Sequence, residues 1–192
     1  MSPTPIIRMP VQDPVGTGLV ASLAHPGGNV TGLTTLAPEL YSKRLELLKE
    51  AIPALERVGA LLNPTNASAV FALNAMETAA QKLGLQLRRL GVRDAPGPDS
   101  IFASIGHAHL QAVVVVTDGV LFNQRARIAE LAVKSHLPTM CEVSDFVVAG
   151  GLIAHGPSYG ELAKRAAVYA DKILKGAMPA DLPVEQPRSS SW

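Results

Sequence analysis

Cysteine is nearly absent from this sequence, and the single Cys141 excludes both an internal disulfide and a zinc site built from cysteines. Aromatic residues make up only 4%, too few for the base-stacking platform of a nucleic-acid-binding protein. Lysine and arginine number 17 against 16 aspartate and glutamate residues, so no excess of positive charge favours a phosphate backbone. These shortages argue against nucleic acid as a partner.

Long apolar stretches are missing too. The wholly apolar run at residues 112–116 is far shorter than the ~20 residues that a membrane span requires. The chain also shows no positively charged start followed by an apolar stretch and a small-residue cleavage site, so we expect no signal peptide in it. Hydrophobic residues nevertheless make up 47% of the 192, which is enough for a substantial core. We therefore expect a globular protein without a membrane span.

Residues 112–116 read Ala-Val-Val-Val-Val, without polar alternation. Such a run is typical of a strand buried on both faces of a parallel sheet. Thr117 and Asp118 end it, so Asp118 would lie at the carboxyl edge of a central strand, where open α/β sheets bind ligands. We predict that this strand is fully buried and is flanked by strands that begin near Arg57 and Leu137.

From residue 38 onward, predicted helices and strands alternate. Helices are predicted over 38–52, 67–83, 99–109, 122–135, 144–149 and 160–175, and strands over 57–62, 85–92, 112–116, 137–140 and 152–155. This alternation predicts right-handed crossovers and a doubly wound, mostly parallel α/β sheet. Upstream, residues 5–9 are predicted to form a short strand and 15–23 a helix, with Asp13 as N-cap and Pro14 at the first helical position.

A search for catalytic and cofactor motifs finds little. The sequence contains neither a G-x-S-x-G elbow nor the phosphate-binding pattern G-x-x-x-x-G-K-[ST]. Gly16, Gly18 and Ala21 fit the dinucleotide pattern G-x-G-x-x-A, although close helix packing explains small residues equally well. His107 and His109 are more readily explained by a helix end than by a metal. We therefore expect no enzyme activity, no cofactor and no metal, with a nucleotide-dependent enzyme as an alternative.

Polar and turn-forming residues recur where predicted strands end. The predicted ligand-binding residues are Asp13, Pro14, Asn63, Pro64, Asp118, Glu142, His155 and Gly156. Because the strand ends share one edge of the sheet, these residues could line a cleft that offers acceptors to an ammonium group and helix amides to a carboxylate. Ordinary capping and turn formation is the alternative explanation at each position.

Several segments of the chain resemble a family of ABC transporter substrate-binding proteins. They are residues 13–16, 18–24, 26–33, 43–50, 63–64, 125–132, 145–146, 150–152 and 180–187. The resemblance extends over almost the whole chain. It implies the type I periplasmic-binding fold, in which two α/β lobes joined by three crossovers close on a small ligand, an aromatic amino acid in some members. It also implies that no chemistry is performed on the ligand.

By that resemblance, residues 1–35 would be a remnant of the first lobe with the first crossover. Residues 36–177 would be the second lobe, and 178–192 the start of the third crossover with the tail. The family's signal sequence and the first half of its first lobe would be missing. The chain has Glu142 and His155 in segments where the family tends to have aromatic residues, which argues against an aromatic ligand.

The resemblance implies solute capture for an importer, with an ABC permease as partner and a periplasmic or extracytoplasmic location. Without a signal peptide, a cytoplasmic location stays open. The alternative function is a sensory or oligomerising module that binds a small molecule but has no transport role. We also predict a homodimer, because the strand over 5–9 would have no partner within the chain and the apolar face of the helix over 15–23 would contact water.

Overall fold

The structure, a computed structural model, describes residues 4–11, 14–34, 38–92, 97–105 and 108–186. Its strands are β1 (Ile6–Val11), β2 (Val30–Thr34), β3 (Arg57–Leu62), β4 (Gln86–Gly91), β5 (Ala112–Val115), β6 (Thr139–Cys141) and β7 (Ile153–Ala154). Its helices are α1 (Pro38–Ala51), α2 (Ala67–Leu83), α3 (Gly97–Ile105), α4 (Gly119–Asn123), α5 (Arg125–Lys134), α6 (Asp145–Val148) and α7 (Tyr159–Leu174). The chain divides into two compact units, residues 1–36 with 157–191 and residues 37–156.

The second unit is built on a parallel five-stranded sheet of order β4-β3-β5-β6-β7. β5 lies at its centre between β3 and β6, and its four residues are completely buried. The valine run explains this position, because on an edge strand it would expose a large apolar patch. The prediction of a buried central strand in a doubly wound α/β fold is therefore confirmed.

Helices cover both faces of this sheet. α1 and α2 pack on one face, where Leu45, Leu48 and Met76 meet Val58 and Val114 in the main hydrophobic core. The strand order reverses after β4, since β5 adds on the other side of β3. Right-handed crossovers therefore place α3 and α5, which contact each other, on the opposite face. The reversal creates a topological switch point between β3 and β5, where sheets of this type bind ligands.

The single helix predicted over 122–135 is two helices in the structure, α4 and α5. Asp118 begins α4 before the predicted start, because its carboxylate accepts a hydrogen bond from the Leu121 backbone N–H at 2.9 Å. Gln124 separates the two helices with φ −99° and ψ 9°, outside the α-helical region. α2, in contrast, begins and ends at the predicted residues.

The chain leaves α5 through a left-handed turn that contains a histidine instead of a glycine. His136 has φ 52°, and the Leu137 N–H donates to the Ala132 carbonyl at 2.9 Å, as in a Schellman motif. A residue with a Cβ is strained in this region by about 1–2 kcal/mol. Glycine removes that strain but is more flexible when unfolded, so we expect His136→Gly to raise the free energy of unfolding by about 0.5–1 kcal/mol.

Urea denaturation measures this change. Ser135→Gly is the matched control, because Ser135 has φ −90° and gains nothing from the freedom of glycine. It should lower the free energy of unfolding. A loss of stability in both variants would contradict the assignment of strain to His136.

The first unit contains a two-stranded parallel sheet of β1 and β2, and Leu33 of β2 bridges Glu185 on its other side. α7 packs on these strands, with Leu162 and Tyr169 buried against Leu33. The sequence predicts a single lobe over 36–177, whereas in the structure α7 belongs with β1 and β2. The apolar stripe of α7 is the physical reason, since its buried Leu162 and Tyr169 pack against Leu33 of β2.

The helix predicted over 15–23 is wrong. Residues 14–18 form turns, and the Val20 N–H donates to the Pro14 carbonyl at 3.0 Å. Gly18 has φ 70°, a conformation that interrupts a helix and that glycine adopts without strain. The dinucleotide interpretation of Gly16, Gly18 and Ala21 requires a helix at this point and is therefore wrong as well.

The strand predicted over 5–9 exists as β1, but it is not without a partner. It pairs with β2, and the Ile6 N–H donates to the Asn29 carbonyl at 2.8 Å. The Asn29 side chain adds a hydrogen bond of 2.7 Å to the Thr4 carbonyl. The homodimer stays a prediction, but the unpaired strand and the exposed helix face on which it depended are absent from the described residues.

Candidate functional site

Two residues of the predicted site come together at the switch point. Asn63 follows β3 and Asp118 follows β5, and the Asn63 Nδ2 donates to the Asp118 Oδ2 at 2.6 Å. Asn63 Oδ1 accepts hydrogen bonds from the Thr65 backbone N–H at 3.0 Å and from its hydroxyl at 2.7 Å. Since Thr65 donates to one end of the amide, the other end must present its N–H groups to Asp118.

The Asp118 carboxylate has two structural partners and further acceptor capacity. Oδ2 accepts from Asn63, and Oδ1 accepts from the Leu121 backbone N–H. An ionised carboxylate offers about four lone-pair positions, so each oxygen can still accept from another donor. Both bonds hold the group in one orientation at the sheet edge. The arrangement can receive a cationic donor such as an ammonium group without any rearrangement of the carboxylate.

Thr117 is a polar residue at this edge that the predicted site omits. It is 6% exposed, and its Oγ1 has no hydrogen-bond partner among the residues that the structure describes. The register pairs Leu61 with Val115 near the ends of β3 and β5, and Thr117 lies just after β5, directly before Asp118. Buried hydroxyls without a partner are rare in native structures. Sequence reasoning missed Thr117 because threonine ends many strands without any polar role.

Three other residues of the predicted site are Pro64, Pro14 and Asp13. Pro64 is exposed and lies beside Gly91 at the end of β4. Pro14 is buried in the other unit, where its carbonyl accepts the hydrogen bond from Val20. Asp13 lies outside the described residues. Their predicted contact with a ligand stays a prediction.

The remaining three, Glu142, His155 and Gly156, form a second cluster around Arg44 of α1. Arg44 is 2% exposed, and its Nε donates to the His155 carbonyl at 2.7 Å. Its Nη1 lies 3.6 Å from the Glu142 Oε2, and its guanidinium carbon lies 4.7 Å from the centre of the Tyr41 ring. The Tyr41 hydroxyl donates to the same carboxylate oxygen at 3.5 Å.

Burial dominates the electrostatics of this cluster. It raises the pKa of Glu142 above its ordinary value, and the charge of Arg44 opposes the shift without cancelling it. Burial, followed by the charges of Arg44 and Lys43, lowers the pKa of His155. Burial also raises the pKa of Cys141 to about 12, so the thiol stays protonated; it donates to the Ile153 carbonyl at 3.2 Å. The geometry therefore supports an inert, buried cysteine at position 141.

Gly156 has a structural reason to be glycine. A Cβ at this position would lie 2.2 Å from the Glu142 carbonyl oxygen, far inside van der Waals contact. The His155 N–H donates to the Cys141 carbonyl at 2.9 Å, so the chain runs directly alongside the end of β6. These contacts give Glu142, His155 and Gly156 structural roles, and their predicted contact with a ligand stays a prediction.

A signal for Arg44 was present in the sequence. Tyr41, Leu45 and Leu48 form the apolar stripe of α1, and Arg44 lies three residues after Tyr41 on the same face. A charged residue within a buried stripe requires partners elsewhere in the fold. The spacing could show that Arg44 is buried, but it could not show which groups it meets, because His155 is 111 residues away.

No described helix is long and apolar enough to cross a membrane. Within the same residues, no group of three or more His, Cys, Asp or Glu side chains is arranged to hold a metal ion.

Comparison with known proteins supplies the family. A family model described as ABC transporter substrate binding protein matches residues 1–192. The chain belongs to this family. The match confirms the resemblance noted in the sequence, and the α/β sheet agrees with the periplasmic-binding fold that the resemblance implied.

Three similar proteins are each about a quarter identical to this chain over the residues that align. A tyrosine-binding protein of Clostridioides difficile is 27% identical over 180 residues, which cover 94% of this chain and 51% of the relative. An ABC domain of Streptococcus pneumoniae, solved in complex with L-Trp, is 26% identical with a TM-score of 0.87. The match covers 97% of this chain and 64% of that domain's chain. A conserved domain protein of Vibrio cholerae is 27% identical with a TM-score of 0.91, and the match covers 100% of this chain and 64% of that protein. The chain thus spans about half to two thirds of the length of these proteins.

Proposed function

We propose that this protein captures an amino acid for an ABC importer, through the sheet edge that carries Asn63, Thr117 and Asp118. The observation that carries the proposal is the hydrogen-bonded pair of Asn63 and Asp118 at the switch point, 2.6 Å apart. Open α/β sheets bind ligands at this place. The family of substrate-binding proteins gives such a site its role, which is to bind a solute without transforming it.

The chemistry of the edge favours a ligand with an ammonium group. Asp118 supplies a fixed negative charge with unused acceptor positions, and charge-assisted hydrogen bonds are the strong ones. The Thr117 hydroxyl can accept from the same ammonium group or donate to a carboxylate. Relatives described as binding tyrosine and L-Trp make amino acids the first class to test. The proposed partner is an ABC permease, and the proposed location is outside the cytoplasm.

Isothermal titration calorimetry with L-tyrosine, L-tryptophan and the remaining amino acids tests this proposal. Asp118→Asn keeps the shape of the side chain and an oxygen to cap α4, but it removes the charge and turns an NH2 group toward the Asn63 Nδ2. Loss of a charged partner in a desolvated contact typically costs about 2–5 kcal/mol, so affinity should fall about 30-fold or more. Glu77→Gln is the control, because Glu77 pairs with Arg89 on the surface of the same unit. Its affinity should equal that of the wild type.

Thermal unfolding without ligand must accompany the titration, since a folding defect would also weaken binding. Asp118→Asn keeps the cap of α4 but loses the hydrogen bond from Asn63, so it should still fold and melt somewhat below the wild type. Equal affinities for Asp118→Asn and the wild type would contradict the site. Absence of binding to every amino acid would contradict the ligand class.

A further inference from the structure

Arg44 is an unusual residue to find inside a solute-binding unit. It is 2% exposed, and its side chain carries a positively charged guanidinium group. Burial of such a charge is tolerated only where close partners compensate for the lost water. The partners that Arg44 has therefore indicate what it does in the fold.

The shortest contact of Arg44 is with the backbone, not with the acid. Its Nε donates to the His155 carbonyl at 2.7 Å, whereas its Nη1 lies 3.6 Å from the Glu142 carboxylate. Nη1 has no hydrogen-bond partner among the described residues. The ion pair is thus a loose one, while the hydrogen bond to His155 is short and charge-assisted. The guanidinium carbon also lies 4.7 Å from the centre of the Tyr41 ring, which is a cation–π contact.

The His155 carbonyl, which accepts the hydrogen bond from Arg44, lies at the end of the second unit. The chain leaves the second unit after Gly156, one residue beyond His155. Gly156 is held from the other side, because the position of its Cβ would be only 2.2 Å from the Glu142 carbonyl oxygen. Residues 155–156 are therefore clamped between α1 and the end of β6.

We infer that Arg44 is a positioning residue for solute capture, one that fixes the backbone of residues 155–156 where the chain leaves the unit. Hinges absorb large torsion changes in a few residues. Because residues 155–156 are held in place, the torsion changes of a hinge are confined to residues after Gly156. Hinge motion then does not disturb the sheet edge that carries Asp118. The consequence for binding rests on the proposed function, but the clamp itself does not.

The double variant Arg44→Met/Glu142→Met separates positioning from stability. It removes both buried charges, and apolar replacement of a buried ion pair is often neutral or stabilising. Its urea midpoint should therefore match or exceed that of the wild type. Amide hydrogen exchange in a peptide spanning residues 153–158 should rise about tenfold or more, because the charge-assisted bond to His155 is lost. Exchange in β5 should not change.

The control is Arg89→Met/Glu77→Met, which removes an exposed ion pair from the same unit. It should leave exchange at residues 153–158 unchanged. Arg44→Lys is the second test variant; it keeps a positive charge but lacks the Nε donor, and exchange there should rise as well. If the double variant does not fold, exchange in Arg44→Lys decides whether Arg44 holds residues 155–156 in place.

Affinity for L-tryptophan and L-tyrosine, measured for the double variant, completes the test, and we expect it to fall at least about fivefold. Wild-type exchange at residues 153–158 in a stable double variant would overturn the clamp. Raised exchange with unchanged affinity would overturn the positioning role. If the wild type binds neither amino acid, the proposed function fails for these ligands, while the exchange measurements still decide whether Arg44 clamps the chain.

Discussion

Arg44→Met alone is expected to lower the free energy of unfolding by about 3–5 kcal/mol, the cost of breaking a buried ion pair from one side. Methionine fills much of the space of the arginine stem, so the loss comes from charge and not from a cavity. Glu142, which is 8% exposed, would remain in the interior without its cation. The His155 carbonyl would also lose its donor. Urea denaturation at neutral pH measures the effect.

The pH dependence of this loss identifies its cause. Burial already raises the pKa of Glu142, and the charge of Arg44 opposes the shift more than the hydrogen bond from Tyr41 does, so removing Arg44 raises that pKa further. A buried carboxyl whose pKa is raised in the folded state destabilises the protein when it is ionised, at pH values above this raised pKa. As the pH falls from the raised pKa toward the ordinary value of 4.5, the folded protein takes up a proton and the lost stability returns. The difference in the free energy of unfolding between Arg44→Met and the wild type should therefore become smaller at acidic pH.

Arg89→Met is the control, because Arg89 is 64% exposed and its ion pair with Glu77 lies in water. Exposed pairs contribute little to stability, so this variant should change it far less than Arg44→Met does. A loss in Arg44→Met that is small, or that does not depend on pH, would contradict the role assigned to Glu142.

Gly156→Ala is expected to lower the free energy of unfolding by about 3 kcal/mol, at the upper end of the cost of overpacking. The added Cβ would overlap the Glu142 carbonyl oxygen, 2.2 Å away. Backbone cannot rotate aside as a flexible side chain can, so the strands β6 and β7 must separate to make room. Differential scanning calorimetry measures the change.

Gly160→Ala provides the matched comparison. Gly160 is exposed in the first turn of α7, and a Cβ there would meet only the Ser158 Oγ, at an ordinary 3.6 Å. Alanine favours the helix over glycine, so this variant should melt at or above the wild-type temperature. A similar melting temperature for Gly156→Ala and the wild type would show that the chain beside Glu142 shifts at little cost.

These experiments bear on which of the predicted site residues are functional. Gly156 and Glu142 are explained by packing and by Arg44, whereas Asn63 and Asp118 form a pair at the edge where ligands bind in such sheets. Weak binding by a Gly156 variant would thus report a damaged fold. Weak binding by a stable Asp118→Asn variant would report a lost contact with the solute.

Much of the second unit could be predicted because its signals are local. The valine run at 112–116 is compatible with few environments other than the centre of a parallel sheet, and β5 is there. The regular alternation of helices and strands restricts the topology further, because crossovers are right-handed. Asn63 and Asp118 could be named since each follows a strand, and parallel strands end at one edge.

The failures have physical causes too. Residues 15–23 are apolar enough for a helix, but Gly16 and Gly18 favour turns, and the segment is held by hydrogen bonds such as that from the Val184 N–H to the Leu23 carbonyl. Such contacts between distant residues leave no periodic pattern in either segment.

By itself, the sequence determined the α/β class, the order of elements and the edge at which strand ends meet, because hydrophobic period and residue type act over a few residues. Only the tertiary structure decided that β1 pairs with β2, that α7 packs on them, and that Arg44 meets His155. Those choices depend on which distant surfaces fit and which buried charge finds a partner. Burying Arg44 is favourable only once α1, β6 and the chain after β7 are all in place, and no short stretch of sequence contains that information.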